Sequence, residues 1–145
     1  MSEPIRIYTA GKMSGTSFAD QMRWRLALAE GVRRRTDGNI KFVHPPLYYN
    51  YVAMSQKTES EIREWELSVL RKCQVMVVDL AEVESSIGTH MELGFANALN
   101  MFGNHIFVIG IGSTEGLHPW IRDSLFRVEP DIDSACEYIA KYMTD

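Results

Sequence analysis

Glu92 is the residue whose type and surroundings in the sequence best suit it to chemistry. An apolar run at residues 75–78 ends at Asp79, and a polar loop, Gly88 and a helical pattern over residues 90–100 follow. A strand, a small-residue turn and a helix N-terminus commonly form a site for a phosphate or for a catalytic carboxylate. The stretch therefore favours Glu92 as a reacting group.

A structural interpretation of the same residues is open. Thr89 followed three residues later by Glu92 fits a capping box, in which threonine caps the helix and glutamate reaches back to the threonine amide. In that case Glu92 only stabilises the start of the helix. The spacing alone does not choose between the two.

Glu66 is a second acid at an unexpected place. A helical pattern opens at Thr58 and buries an apolar face, which consists of Ile62, Trp65, Val69 and Leu70. At about 100° per residue, Glu66 falls inside that face. It is solvated if the apolar face is narrow, and it is otherwise a desolvated acid at the sheet edge, where such a group is a functional candidate.

A glycine-rich turn over residues 11–15, with Gly11, Ser14 and Gly15, follows the first β-rich run. It is neither a phosphate-binding loop of the Walker type nor a full dinucleotide fingerprint. Glycines let a backbone approach a ligand, and the helix that follows offers free amides to an anion. A tight turn without a ligand is the alternative.

Strand patterns alternate with helical patterns along the chain. The strands are expected at residues 5–10, 40–44, 75–79, 105–111 and 126–129. The intervening helices are expected to begin at Thr16 or Ser17, Thr58, His90, His118, and Asp131 or Asp133. This alternation predicts one domain over residues 1–145, an α/β three-layer sandwich of Rossmann-like type with a five-stranded, mostly parallel sheet. Ligands bind at the carboxyl ends of such strands, so the turns at residues 11–15 and 86–92 should share one rim.

Apolar periodicity predicts which helix faces are buried. The first helix should bury Phe18, Met22, Leu26, Ala29 and Val32, and the last should bury Ala135, Tyr138, Ile139 and Tyr142. Residues 47–54 carry Tyr48, Tyr49 and Tyr51 without a clear period. This segment is expected to be a loop that covers the core or stacks on a base.

Composition excludes several classes of partner. The 145 residues carry a net charge of −4, so no overall basic field attracts nucleic acid or an anionic membrane. The basic cluster at residues 33–35 falls at a helix end, where cations complement the dipole. Cys73 and Cys136 show no disulfide or metal spacing and are expected in the core. With no signal peptide or membrane-length apolar run found, we expect a cytoplasmic protein without a metal or cofactor.

One pattern joins four parts of the chain: residues 7–11 with Ser14 and Gly15, the strand before Asp79, residues 86–96, and residues 117–122. This pattern gives the chain a resemblance to the nucleoside 2-deoxyribosyltransferase-like superfamily. It implies a flavodoxin-like fold and cleavage of the N-glycosidic bond of a nucleoside or nucleotide. A glutamate matching Glu92 would attack the anomeric carbon, and water or a second base would release the glycosyl-enzyme.

The resemblance also implies roles for other residues. Glu66 takes the place of the usual aspartate on the helix before the central strand, and Tyr8 matches a tyrosine that holds the nucleophile. Ser86 lies six residues before Glu92, where branches acting on nucleoside 5′-monophosphates carry a serine. Transferases acting on free nucleosides carry an aspartate there. His118 matches a serine that reaches a neighbour's phosphate, which implies a homodimer or a larger homo-oligomer.

Three functions follow as expectations. The first is a nucleoside 5′-monophosphate N-glycosidase, with Glu92, Glu66 and Tyr8 as catalytic residues. Its substrate would be held by residues at the turns and at the subunit boundary: Gly11, Ser14, Gly15, Ser86, Gly88 and His118. The second is a nucleoside 2-deoxyribosyltransferase, in which Glu82 or Glu84 binds the sugar 5′-hydroxyl. The third is a nucleotide-binding domain without turnover.

Overall fold

Five parallel strands form a single sheet in the computed structural model, which describes residues 3–48 and 58–144. The strands are β1 (Ile5–Ala10), β2 (Ile40–Val43), β3 (Val75–Asp79), β4 (Phe107–Ile111) and β5 (Arg127–Glu129). The helices are α1 (Phe18–Arg33), α2 (Glu59–Leu70), α3 (Ile87–Met101), α4 (Pro119–Asp123) and α5 (Ile132–Tyr142). A 3-10 turn, Val83–Ser85, precedes α3, and residues 45–48 are helical.

The strand order is β2-β1-β3-β4-β5, which is the flavodoxin-like order. Every pairing between the described strands is parallel, so the predicted α/β fold is confirmed. The chain leaves β1 toward β2 on one side and returns to β3 on the other. The connections that follow β1 and β3 therefore diverge, and a crevice opens at the carboxyl ends of these two strands.

Helices cover both faces of the sheet. Alternate side chains of β3 enter different cores: Val75 and Val77 pack with α1 and α5, whereas Met76 and Val78 pack with the other helices. Tyr8 of β1 lies in the second of these cores, which also contains side chains of α2, α3 and α4. The sheet therefore directs Tyr8 toward the layer in which α2 and α3 lie.

The buried face of α1 differs from the prediction. Phe18 and Leu26 are exposed, and the buried side chains are Met22, Arg25, Leu28, Ala29 and Val32. These five also follow spacings of three and four, but one of them is charged. The prediction is confirmed for Met22, Ala29 and Val32 and was wrong for Phe18 and Leu26, because it counted only apolar residues and gave an arginine no place in a core.

The buried face of α5 also differs in part from the prediction. Ala135 and Ile139 are buried as predicted and Tyr138 is half-buried, but Tyr142 is exposed and Cys136 takes its place in the core. Gly31 of α1 makes this possible, because a Cβ there would lie 2.4 Å from Cys136 Sγ. Cys73 and Cys136 are both buried free thiols, as predicted. Within the described ranges, no helix is both long and apolar enough to cross a membrane.

Candidate active site

The start of α3 rules out the capping box. The helix begins at Ile87 with Ser86 as its N-cap, so Thr89 and Glu92 are already inside it. The Ser86 hydroxyl lies 2.7 Å from the Thr89 hydroxyl and makes no capping bond to the backbone. The interpretation of Glu92 as a helix-start residue is therefore wrong. Gly88 had suggested a later start, because glycine disfavours helix interiors.

Glu92 points into the protein and meets Tyr8. The tyrosine is fully buried in β1, and its hydroxyl donates a hydrogen bond to the Glu92 carboxylate. Burial raises the pKa of Glu92 to about 7, although the Tyr8 hydrogen bond and the charge of Arg25 act to lower it. Burial and the charge of Glu92 raise the pKa of Tyr8 well above its usual value. Tyr8 therefore stays protonated and serves as a hydrogen-bond donor.

Glu66 of α2 lines the same cavity as Glu92. Its Oε1 atom is buried and has no hydrogen-bond partner among the described residues. Burial, and then the charge of Glu92, raise the pKa of Glu66 to about 8. Two interacting desolvated acids titrate as a pair, and the lower of the two pKa values is that of Glu92. Near neutral pH the pair can hold one carboxylate and one carboxylic acid.

These acids line a cavity of about 540 Å³ between α2, the start of α3 and the glycine-rich turn. The cavity collects predicted residues from three parts of the chain: Gly11, Ser14, Glu66, Ser86, Gly88 and Glu92. Gly15 follows in the turn with a φ of 75° and is not among the lining residues. The expectation that the two turns share one rim is confirmed, since both line this cavity.

His118 lies elsewhere in the single chain. It caps α4, accepting a hydrogen bond from the Trp120 amide at Nδ1 (3.1 Å). It lines a separate cavity of about 520 Å³ on the other flank of α3, which also contains His90 and Asp123. His118 therefore does not meet Glu92 within one chain. Its role in a neighbour's site stays a prediction.

The two acids proposed for a sugar 5′-hydroxyl have other contacts. Glu84 accepts a hydrogen bond of 2.8 Å from the His118 amide, and Glu82 lies 3.7 Å from Lys12 Nζ. Neither lines the Glu92 cavity. Of the predicted aromatic loop, Tyr48 packs on Trp65 of α2 with ring centroids 4.1 Å apart. Its other two tyrosines, at positions 49 and 51, lie outside the described residues.

Arg25 is a site residue that the sequence did not reveal. Its buried guanidinium lies under the glycine-rich turn, where Nε is 3.2 Å from Thr9 Oγ1 and Nη2 is 3.4 Å from Gly11 O. Burial lowers the pKa of Arg25 to about 10, so it remains a cation at neutral pH. The available signal was its spacing from Met22 and Leu28 on α1, which places it on the buried face.

Two further features of the cavity bear on ligand charge. The N-terminus of α3 borders the cavity with amides that no side chain caps, and such a helix end attracts an anion. Arg63 of α2 is the one cationic residue among the described residues that line it. In residues 3–48 and 58–144, no group of three His, Cys, Asp or Glu could hold a metal ion.

Comparison with protein-family models and with curated protein sequences gives no match to this chain. The function is therefore argued from the geometry of the Glu92 cavity.

Proposed function

We propose that this protein is an N-glycosidase that cleaves nucleoside 5′-monophosphates into free base and (deoxy)ribose 5-phosphate. The observation that carries the proposal is the buried Glu92 carboxylate, held by Tyr8 and facing a second acid, Glu66, across one cavity. A carboxylate and a carboxylic acid on either side of a glycosidic bond are what a retaining mechanism needs.

The first step forms a glycosyl-enzyme. The Glu92 carboxylate attacks the anomeric carbon, the C–N bond breaks, and its electron pair leaves with the base. Glu66, protonated near neutral pH, gives its proton to the departing base. Tyr8 holds one oxygen of Glu92 by its hydrogen bond and leaves the other for attack.

Water completes the second step. The Glu66 carboxylate accepts a proton from water as the water oxygen attacks the anomeric carbon, and Glu92 leaves as a carboxylate. Both groups return to their starting protonation states. The sugar keeps its anomeric configuration because it has been inverted twice.

The start of α3 supports a phosphate on the substrate. The uncapped amides of this helix and the neutral hydroxyl of Ser86 border the cavity, and Arg63 adds a positive charge. A carboxylate at position 86 would repel a phosphate. Glu82 and Glu84 have other contacts, so the geometry gives the deoxyribosyltransferase alternative less support.

One panel of substrates tests the function. Nucleosides and their 5′-monophosphates are incubated with wild-type enzyme or with Glu92→Gln, with and without a second base, and free base is measured. We expect release only from monophosphates, only with Glu92, and without exchange. Exchange between free deoxynucleosides would support the transferase instead. Tight nucleotide binding without any product would support a binding domain.

A homodimer in a reduced cytoplasmic compartment completes the proposal. Trp120, which lines the His118 cavity, is 80% exposed, and Ile87 of α3, which lines the Glu92 cavity, is 76% exposed. A second chain that covers these side chains could bring its His118 toward the first chain's α3. Sedimentation equilibrium measures the assembly, and a monomer with full activity would contradict this part of the proposal.

A further inference from the structure

Arg25 is the most unusual charge in the core. Its side chain is 0% exposed, yet no carboxylate in the described ranges forms a direct ion pair with it. A buried charge without a paired charge destabilises a fold, and an apolar residue at this helix position would avoid that penalty. An arginine here therefore calls for a functional reason.

The guanidinium joins three pieces of backbone. It donates to the carbonyl oxygens of Thr9 at the end of β1 (3.4 Å), Gly11 in the turn (3.4 Å) and Gln21 in α1 (2.5 Å). Gly11 and Gln21 both line the Glu92 cavity. Arg25 thus fixes the glycine-rich turn against the helix that follows it.

The same guanidinium is surrounded by acids at longer range. Glu92 is the charged group that acts most strongly on it, followed by Tyr8, Asp79 and Glu66. The groups that face Glu92 are Tyr8 from β1, Glu66 from α2 and Arg25 from α1. Of these only Arg25 is positive, so after the hydrogen bond from Tyr8 it is the second group that offsets the desolvation of the Glu92 carboxylate.

We propose that Arg25 is a positioning residue that keeps Glu92 ionised for attack while it fixes the glycine-rich turn of the same cavity. This inference rests on the proposed function for its catalytic meaning. Without the buried cation, only the Tyr8 hydrogen bond would offset the desolvation of Glu92, so less of Glu92 would be ionised near neutral pH and able to attack a sugar.

A carboxyl titration tests the inference without turnover. Protein with ¹³C-labelled glutamate side chains is titrated by NMR, and Glu92→Gln assigns the Glu92 signal. In folded Arg25→Gln the Glu92 midpoint should rise by about 1 pH unit or more, because an opposite charge nearby favours the ionised form. Arg25→Lys keeps the charge and should stay near wild type. The control is Arg23→Gln, an exposed residue of the same helix that pairs with Asp20.

The acid limb of kcat/KM should move with the NMR midpoint. A folded Arg25→Gln protein with an unchanged Glu92 midpoint would overturn the inference and leave Arg25 a structural residue. If Arg25→Gln does not fold, Arg25→Lys decides, since a rise in its midpoint despite the retained charge would also overturn the inference. If the wild type cleaves none of the substrates while the midpoint shifts as expected, the proposed function fails and the electrostatic role of Arg25 stands.

Discussion

Two glutamates in this protein are buried to the same extent and have opposite environments. Glu92 and Glu129 are each 8% exposed. Glu129 ends β5 at the edge of the sheet, where the guanidinium of Arg127 binds it at 2.9 Å. Glu92 lines the cavity between α2 and α3. There the neutral hydroxyl of Tyr8 donates a hydrogen bond to it, and a second acid, Glu66, lines the same cavity. Burial alone therefore does not mark a catalytic acid.

The difference between the two sites lies in how each charge is compensated. An ion pair on one strand, as at Glu129, is a local structural contact. At Glu92, two acids from α2 and α3 line one cavity, and a tyrosine from β1 and a more distant cation from α1 act on them from behind it. Such an arrangement does little for stability and shifts the pKa values of its acids, which is typical of functional sites.

Replacing each glutamate in turn should give the largest contrast. Glu92→Gln is expected to lower base release by more than about 10³-fold, because an amide cannot attack the anomeric carbon. Glu129→Gln should keep activity within about threefold and lower the thermal stability, because it removes the partner of Arg127. Base release and Tm are measured for both. Substantial base release by Glu92→Gln would show that Glu92 is not the nucleophile and does not differ from Glu129 in function.

The sequence was a good guide where the fold depends on repetition. Alternating strands and helices predicted the sheet, and a parallel sheet necessarily brings the turns after β1 and β3 to one rim. The positions of Gly11, Ser86 and Glu92 on one cavity follow from that. Glu66 was singled out in the sequence because a charged residue interrupts an apolar face of α2, and the structure buries its Oε1 atom.

The sequence was a poor guide where the outcome depends on a side chain's exact surroundings. The buried guanidinium of Arg25 donates to backbone carbonyls from three separate places in the chain. No local sequence pattern predicts these hydrogen bonds. The start of α3 was misplaced by three residues because Ile87 and Gly88 are weak helix-start signals. The burial that shifts the pKa values of the two acids exists only after α2 and α3 have packed.

Glu66→Gln tests the second acid, the feature that Glu129 lacks. Wild-type activity should rise as Glu92 loses its proton near pH 7 and fall as Glu66 loses its proton near pH 8. Glu66→Gln should lower the rate by about 10²-fold, because general acid catalysis is lost, and the fall near pH 8 should disappear. A pH profile of kcat/KM measures both. Glu61→Gln, at an exposed position of the same helix that does not line the cavity, is the control and should leave the profile unchanged.

Tyr8→Phe tests the neutral partner of Glu92. The hydroxyl stabilises the ionised carboxylate, so its loss should raise the pKa of Glu92 and move the acid limb of the profile to higher pH. We expect a rate lower by about 10-fold to 50-fold near neutral pH, because a hydrogen bond to a charged group is lost and less of Glu92 is ionised. Tyr142→Phe, at an exposed position of α5, should change neither quantity. An unmoved acid limb in Tyr8→Phe would show that the hydrogen bond does not tune Glu92.

The smallest expected effect is a change in Tm, and its sign should differ between the Glu66 and Glu129 variants. The pKa of Glu66 is about 8 in the folded protein, above its usual 4.5, so the unfolded chain loses this proton first as the pH rises. The stability that protonated Glu66 contributes is complete below about pH 4.5 and is lost as the pH rises through 8. Glu66→Gln is neutral throughout and should raise Tm by about 3 °C at pH 8, with little change at pH 4.5.

Glu129→Gln should lower Tm at pH 8 instead, because there the carboxylate binds Arg127. Calorimetry at the two pH values measures both, and a lower Tm for Glu66→Gln at pH 8 would place Glu66, like Glu129, among the structural acids.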